Sequence, residues 1–134
     1  YQVQLKSDSM FNTPAVFPIY TSMLTLEWLH ENGGLAHIEK HNQAKAALIY
    51  NEIDRNTAFE GFAAKEDRSF MNATFNLAEG IDGVAFDTLW NEAAISGLKG
   101  HRSVGGYRAS IYNALPLESA QLLVDVMQKF EQTL

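Results

Sequence analysis

The chain of 134 residues has no cysteine, only three prolines, and no apolar run near the ~20 residues that cross a bilayer as a helix. Without cysteine there is no disulfide framework and no thiolate metal site, which suits a reducing compartment. There is no Arg-rich presequence and no signal-peptide apolar core, so no membrane partner is expected and the chain reads as soluble and cytoplasmic. Basic residues are also in deficit: 10 Lys and Arg stand against 16 Asp and Glu, a formal net charge of -6, which argues against nucleic acid as a partner. Internal repeats and low-complexity linkers are missing too. With 46% hydrophobic residues the expectation is one domain, residues 1–134, large enough to bury a core. The first residue is Tyr1 rather than methionine, so the chain is expected to start at a fragment boundary.

The most informative absence is local. Between Glu92 and Glu118 there is no acidic residue, yet Lys99, His101, Arg102 and Arg108 fall within ten positions there. Such a window invites an anion. Arginine presents a planar fork of donors that matches carboxylate or phosphate, and two arginines either side of Gly105-Gly106 can meet two anionic groups of one ligand. The glycines allow φ > 0 or close approach of backbone to that ligand. On spacing alone, surface basic residues flanking a glycine turn remain an equal reading.

Helical and extended periodicities organise the remainder. Asn12-Thr13-Pro14 predicts a helix start, with Thr13 as N-cap and Pro14 at the first helical position. Phe17, Tyr20, Leu24, Trp28 and Leu29 then recur at helical spacing until Gly33-Gly34. A second helix is expected from about Leu35 to Asp54, with Ile38, Ala46, Leu48 and Ile53 inward. His37 and His41 lie at i and i+4 on it, but no third ligand is evident and no metal is expected. Residues 57–64 and 68–77 predict two paired strands, the second alternating Met71, Ala73, Phe75 and Leu77 against Asn72, Thr74 and Asn76. A helix over 82–96 should bury Val84, Phe86, Leu89, Trp90 and Ala93. Strands at 98–102 and 107–112 should flank the glycine turn. A last helix from Pro116 carries a stripe of Leu123, Val126 or Met127, Phe130 and Leu134. The order α-α-β-β-α-β-β-α predicts an α/β (α+β) two-layer fold, a small mostly antiparallel sheet with helices on one face.

Three ordered stretches resemble one family. Gly100-His101-Arg102-Ser103-Val104-Gly105-Gly106-Tyr107-Arg108-Ala109-Ser110-Ile111-Tyr112-Asn113-Ala114-Leu115-Pro116-Leu117-Glu118 is similar to the C-terminal signature of the phosphoserine aminotransferases, pyridoxal-phosphate enzymes of the aspartate aminotransferase fold type. Phe11-Asn12-Thr13-Pro14 and Ala64-Lys65-Glu66-Asp67-Arg68-Ser69 with Met71-Asn72 match the same family in the same order. The resemblance spans the family's small C-terminal domain and leaves out the large pyridoxal-phosphate-binding domain with its Schiff-base lysine.

The resemblance implies a transfer of the glutamate amino group to 3-phosphohydroxypyruvate, giving O-phosphoserine and 2-oxoglutarate in serine biosynthesis, by a homodimer. Residue by residue it implies Arg108 on the substrate α-carboxylate and His101 and Arg102 on the substrate phosphate. It also implies Asn12 and Thr13 on the cofactor phosphate of the other subunit. No catalytic residue is expected in this chain, because none of Lys6, Lys40, Lys45, Lys65, Lys99 and Lys129 sits in the context of the family's lysine. The isolated chain is expected to be inactive and without cofactor. Tyr107 stands where methionine is frequent and Ala15 where a second proline is usual. Two other classes compete: a stand-alone non-catalytic module binding phosphorylated or carboxylate metabolites, and a purely structural dimerisation module.

Overall fold

Alternation of apolar and polar residues makes Asn72–Leu77 the strand on which the sheet is built. The computed structural model describes all 134 residues, which fall into two compact units, Tyr1–Ile38 and Glu39–Leu134.

The second unit holds the sheet. Strand β1 (Phe59–Gly61) pairs antiparallel with β2 (Asn72–Leu77), which pairs antiparallel with β3 (Tyr107–Ser110). Residues opposite one another in such pairs share a face. Hence Phe75 and its partner Tyr107 lie on the buried face, while Thr74 and its partner Arg108 lie on the other. Helices α3 (Gly34–Arg55), α4 (Gly83–Glu92) and α5 (Leu117–Glu131) supply the apolar side chains that cluster with the buried face. At its centre Phe86 meets Phe59, Phe75, Tyr107 and Phe130 with ring centroids 5.0–6.4 Å apart, three of the four contacts edge-on. Burial of each such ring contributes about 1.5–3 kcal/mol.

Polar side chains fix how α3 meets the rest of this unit. Lys45 is fully buried and donates to the carbonyls of Ile111 and Tyr112 at 3.1 and 2.6 Å; burial lowers its pKa. Asn42 donates to Asn113, and His41 Nε2 lies 3.1 Å from the Leu115 carbonyl. Three side chains along one face of α3 thus secure the segment leaving β3. At the other end of α3, Glu52 accepts from Arg55, Asn56 and Gln128. Burial raises the Glu52 pKa, and these bonds outweigh it and hold the carboxyl below its usual range.

The first unit contains α1 (Gln2–Lys6) and α2 (Val16–Glu31). Here two expectations fail. Thr13 does not cap α2: the helix begins later, with Ala15 as N-cap and no side-chain cap bond. Phe17, Tyr20, Leu24 and Trp28 are exposed rather than core. Residues 2–6 form the short helix α1. In the second unit Val84 and Leu134 are exposed, and the strand expected over 98–102 shrinks to one antiparallel bridge between Lys99 and Tyr107. Past that bridge one further bond, Gly100 N to the Gly106 carbonyl, closes the base of the loop that follows.

Candidate anion-binding site

The basic part of the acid-free window, residues 100–106, folds as a turn that leads into β3. Gly100 N donates to the Gly106 carbonyl at 2.8 Å and Arg108 N to the Leu98 carbonyl at 2.7 Å, closing its base. Across its tip, Val104 N and Gly105 N both donate to the His101 carbonyl. Glycine is required at two places. Gly106 has φ +64°, and a Cβ there would fall 2.2 Å from Asn76 Oδ1; a Cβ on Gly100 would fall 2.0 Å from the Gly105 carbonyl oxygen. No side chain fits either gap.

The turn and the uncovered sheet face enclose a cavity of about 170 Å³ lined by His101, Arg108, Phe62, Thr74, Asn76 and Gly105, among others. Arg108 reaches it because its strand neighbours Tyr107 and Ala109 point into the core, which leaves Arg108 on the open face. His101 Nδ1 accepts from the Ser103 backbone N–H at 3.3 Å and lies 2.7 Å from Ser103 Oγ. In the neutral ring that assigns the proton to Nε2 and makes it a donor toward an anion. Arg102 is exposed on the same turn beside His101 and does not line the cavity. The structure therefore brings His101 and Arg108 together and leaves Arg102 at the rim.

Which cations are free matters more than how many there are. The chain has four arginines. Arg55 is bound by Glu52 and Glu131, and Arg68 by Asp54; Arg102 and Arg108 have no carboxylate partner. Lys99, although inside the basic window, is neutralised by Asp87. Two arginines and a histidine remain for a guest, and all three sit on the turn or the strand it feeds.

Asn12 and Thr13 lie before α2 in the first unit, both exposed and without a hydrogen bond to the rest of the chain. An amide and a hydroxyl in that condition suit a phosphate oxygen. No group of three or more His, Asp or Glu is placed to hold a metal ion. Lysine is likewise missing from the cavity: Lys45 is committed to two carbonyls, Lys65 and Lys99 are in ion pairs, and Lys6, Lys40 and Lys129 are exposed on helices. The residues present thus suit an anionic guest, and no lysine among them is placed as the covalent anchor of an aldehyde cofactor.

Sequence reasoning did not single out Thr74, Asn76 or Phe62 as cavity residues. The alternation of Asn72, Thr74 and Asn76 was a legible polar face; what lay across from it was not.

Comparison with known proteins shows which family the chain resembles along its length. The phosphoserine aminotransferases of Flavobacterium psychrophilum and Flavobacterium johnsoniae are 62% and 59% identical over 131 residues, 98% of this chain. The chain spans about 37% of the length of those relatives. Among solved structures, phosphoserine aminotransferase from Bacillus circulans subsp. alkalophilus superposes with a TM-score of 0.89 at 42% identity, over 99% of this chain and 37% of that one. The pyridoxal-phosphate-bound phosphoserine aminotransferase of Trichomonas vaginalis gives a TM-score of 0.84 at 39% identity, over 96% of this chain and 37% of that one. The sheet, the helices and the basic turn lie almost wholly within residues 1–123, which match the aminotransferase class-V family: the chain belongs to that family.

Proposed function

We propose that this chain is the C-terminal small domain of a phosphoserine aminotransferase, which moves an amino group between glutamate and 3-phosphohydroxypyruvate. The observation that carries the reading is the pair of unpartnered basic groups, His101 and Arg108, on one cavity, with Arg102 at its rim, in a chain that otherwise neutralises its arginines. Arg108 holds the substrate α-carboxylate as a bidentate fork, and His101 and Arg102 take the phosphate. Two anchored ends orient the carbon between them and restrict its motion, which is the binding contribution this domain makes to rate.

Pyridoxal phosphate, when bound, supplies the electron sink and the carbonyl through which an amino group is exchanged. Asn12 and Thr13 hold its phosphate in the second subunit of a homodimer; their exposed, unpaired donors support that role. The lysine that anchors the cofactor belongs to sequence outside this chain, so the 134 residues alone form no active enzyme. The uncovered apolar residues of α2 suit a chain that is about 37% of its relatives' length. No helix is long and apolar enough to cross a membrane. That and the acidic charge support a cytoplasmic enzyme without nucleic-acid partners.

The test is steady-state kinetics on the complete polypeptide containing this chain. Arg108→Ala should lower kcat/KM for O-phosphoserine about 100-fold, the loss of a charge-assisted carboxylate contact of roughly 3 kcal/mol. An unchanged kcat/KM, or transamination by the 134 residues alone, would overturn the assignment.

A further inference from the structure

We infer that Asp87 on α4 is a positioning residue for the basic turn: through Tyr107 and Lys99 it ties both stems of the turn to the core and so presets the turn for the phosphate end of the substrate. The inference rests on the proposed role of His101 and Arg102, and extends it to three residues whose polar side-chain atoms are bonded to one another rather than offered to the anion.

The geometry is that of a cross-link. Lys99 and Tyr107 face each other across the isolated antiparallel bridge at the base of the turn. One carboxylate serves both: Asp87 Oδ1 accepts from the Tyr107 hydroxyl at 2.9 Å, and Oδ2 accepts from Lys99 Nζ. Trp90 Nε1 donates to the same Oδ1 at 3.1 Å and fixes the carboxylate from its own helix. Burial pushes the Asp87 carboxyl up, but the bonds from Lys99, Tyr107 and Trp90 outweigh that and keep it ionised.

Tyr107 is itself buried. Its ring stacks on Phe75 at 5.4 Å and meets the edge of Phe86 at 5.1 Å, while Lys99 Nζ sits 4.8 Å from the ring centroid. Gly83 at the start of α4 leaves room for the hydroxyl: a Cβ there would stand 2.9 Å from it. Beyond the stems, His101, Arg102, Ser103, Val104 and Gly105 are all exposed, and the hydrogen bonds of that tip stay within it. Restraint at the base therefore decides where the tip stands. A further consequence concerns charge: Asp87 removes Lys99 from competition for the anion and leaves the field to His101, Arg102 and Arg108.

Tyr107→Phe isolates the effect, since it keeps the stacked ring and deletes one hydrogen bond, whereas Asp87→Asn also frees the charge of Lys99. Both are made in the complete polypeptide, with inorganic phosphate as a competitive inhibitor and kcat read at saturating O-phosphoserine. Tyr107→Phe should raise the phosphate inhibition constant and the KM for O-phosphoserine about five-fold, the lower end of couplings between linked groups, with kcat within about two-fold of the parent. Asp87→Asn should do the same, with a partial offset at low salt from the freed lysine.

A Tyr107→Phe enzyme with unchanged phosphate inhibition, or one that loses kcat without a change in phosphate inhibition, overturns the positioning role. His101→Ala and Arg102→Ala separate that failure from failure of the functional reading. If they weaken phosphate inhibition and Tyr107→Phe does not, the positioning role alone falls. If neither weakens it, the phosphate assignment of the turn falls and the inference with it.

Discussion

Helices α2 and α5 are both rich in apolar residues, and they meet opposite fates. In α5 most of the large apolar residues fall on one stripe: Leu123, Val124, Val126, Met127 and Phe130 are buried, and only Leu117 and Leu122 are exposed. In α2 they fall on every side: Val16, Phe17, Ile19, Tyr20, Met23, Leu24, Leu26 and Trp28 are all exposed. Even its hydroxyls turn inward on the helix, with Thr21, Ser22 and Thr25 donating to carbonyls three or four residues back. A helix apolar all round is built to be enclosed, whereas a striped helix needs only one neighbour. Spacing alone does not tell the two apart, because both satisfy the i, i+3, i+4 rule.

Truncating side chains on the two sides of this comparison should sharpen it most. Phe86→Ala in the second unit should cost about 3–5 kcal/mol, while Phe17→Ala on α2 should change the stability of the 134-residue chain by less than about 0.5 kcal/mol. Denaturant titration followed by circular dichroism reads both. Equal losses would mean that α2 is enclosed in solution, by self-association of the chain. Next in size is Lys45→Met, which strands one buried and one half-buried carbonyl and should cost about 2 kcal/mol in the same titration. A neutral result there would remove the claim that α3 secures the segment after β3.

Acid should separate the paired from the unpaired arginines. Hydrogen bonds from Arg68 hold the Asp54 carboxyl at about 2, against 3.8 for the free side chain, with Lys65 adding to them and burial opposing. Because the folded pKa is the lower one, this stabilisation is complete above about pH 4 and disappears as pH falls toward 2. Asp54 is partly exposed, so the effect should stay below about 1 kcal/mol. Arg68→Ala should flatten the dependence of stability on pH in that window, and Arg102→Ala should leave it unchanged. The smallest effect belongs to Phe17→Ser, which should leave stability within about 0.5 kcal/mol and reduce binding of an apolar dye to the isolated chain.

Much of the second unit was readable from the chain. The alternation from Met71 to Leu77 gave the central strand and its two faces, and Phe86 with Trp90 gave the buried side of α4. The acid-free window marked the turn that lines the cavity. What escaped was each feature that depends on a distant partner. Nothing local marks Lys45 for burial, and the carbonyls that take it in lie 66 and 67 positions away. Asp87 looked like the polar side of a helix, yet it meets Tyr107 twenty positions on. Thr13 is a good N-cap by type, but α2 starts at Val16, with Val16 N bonded to the Pro14 carbonyl.

The sequence by itself determined the elements, the inward stripe of α5, the polar and apolar faces of β2, and the basic turn with its glycines. Those follow from local sterics and from periodicities that operate within one element. Tertiary structure alone decided which cations stay free, because a cation is neutralised only by the carboxylate that folding brings to it. It also decided that Arg108 and His101 share a cavity with Thr74 and Asn76, since antiparallel register sets strand neighbours irrespective of their separation along the chain.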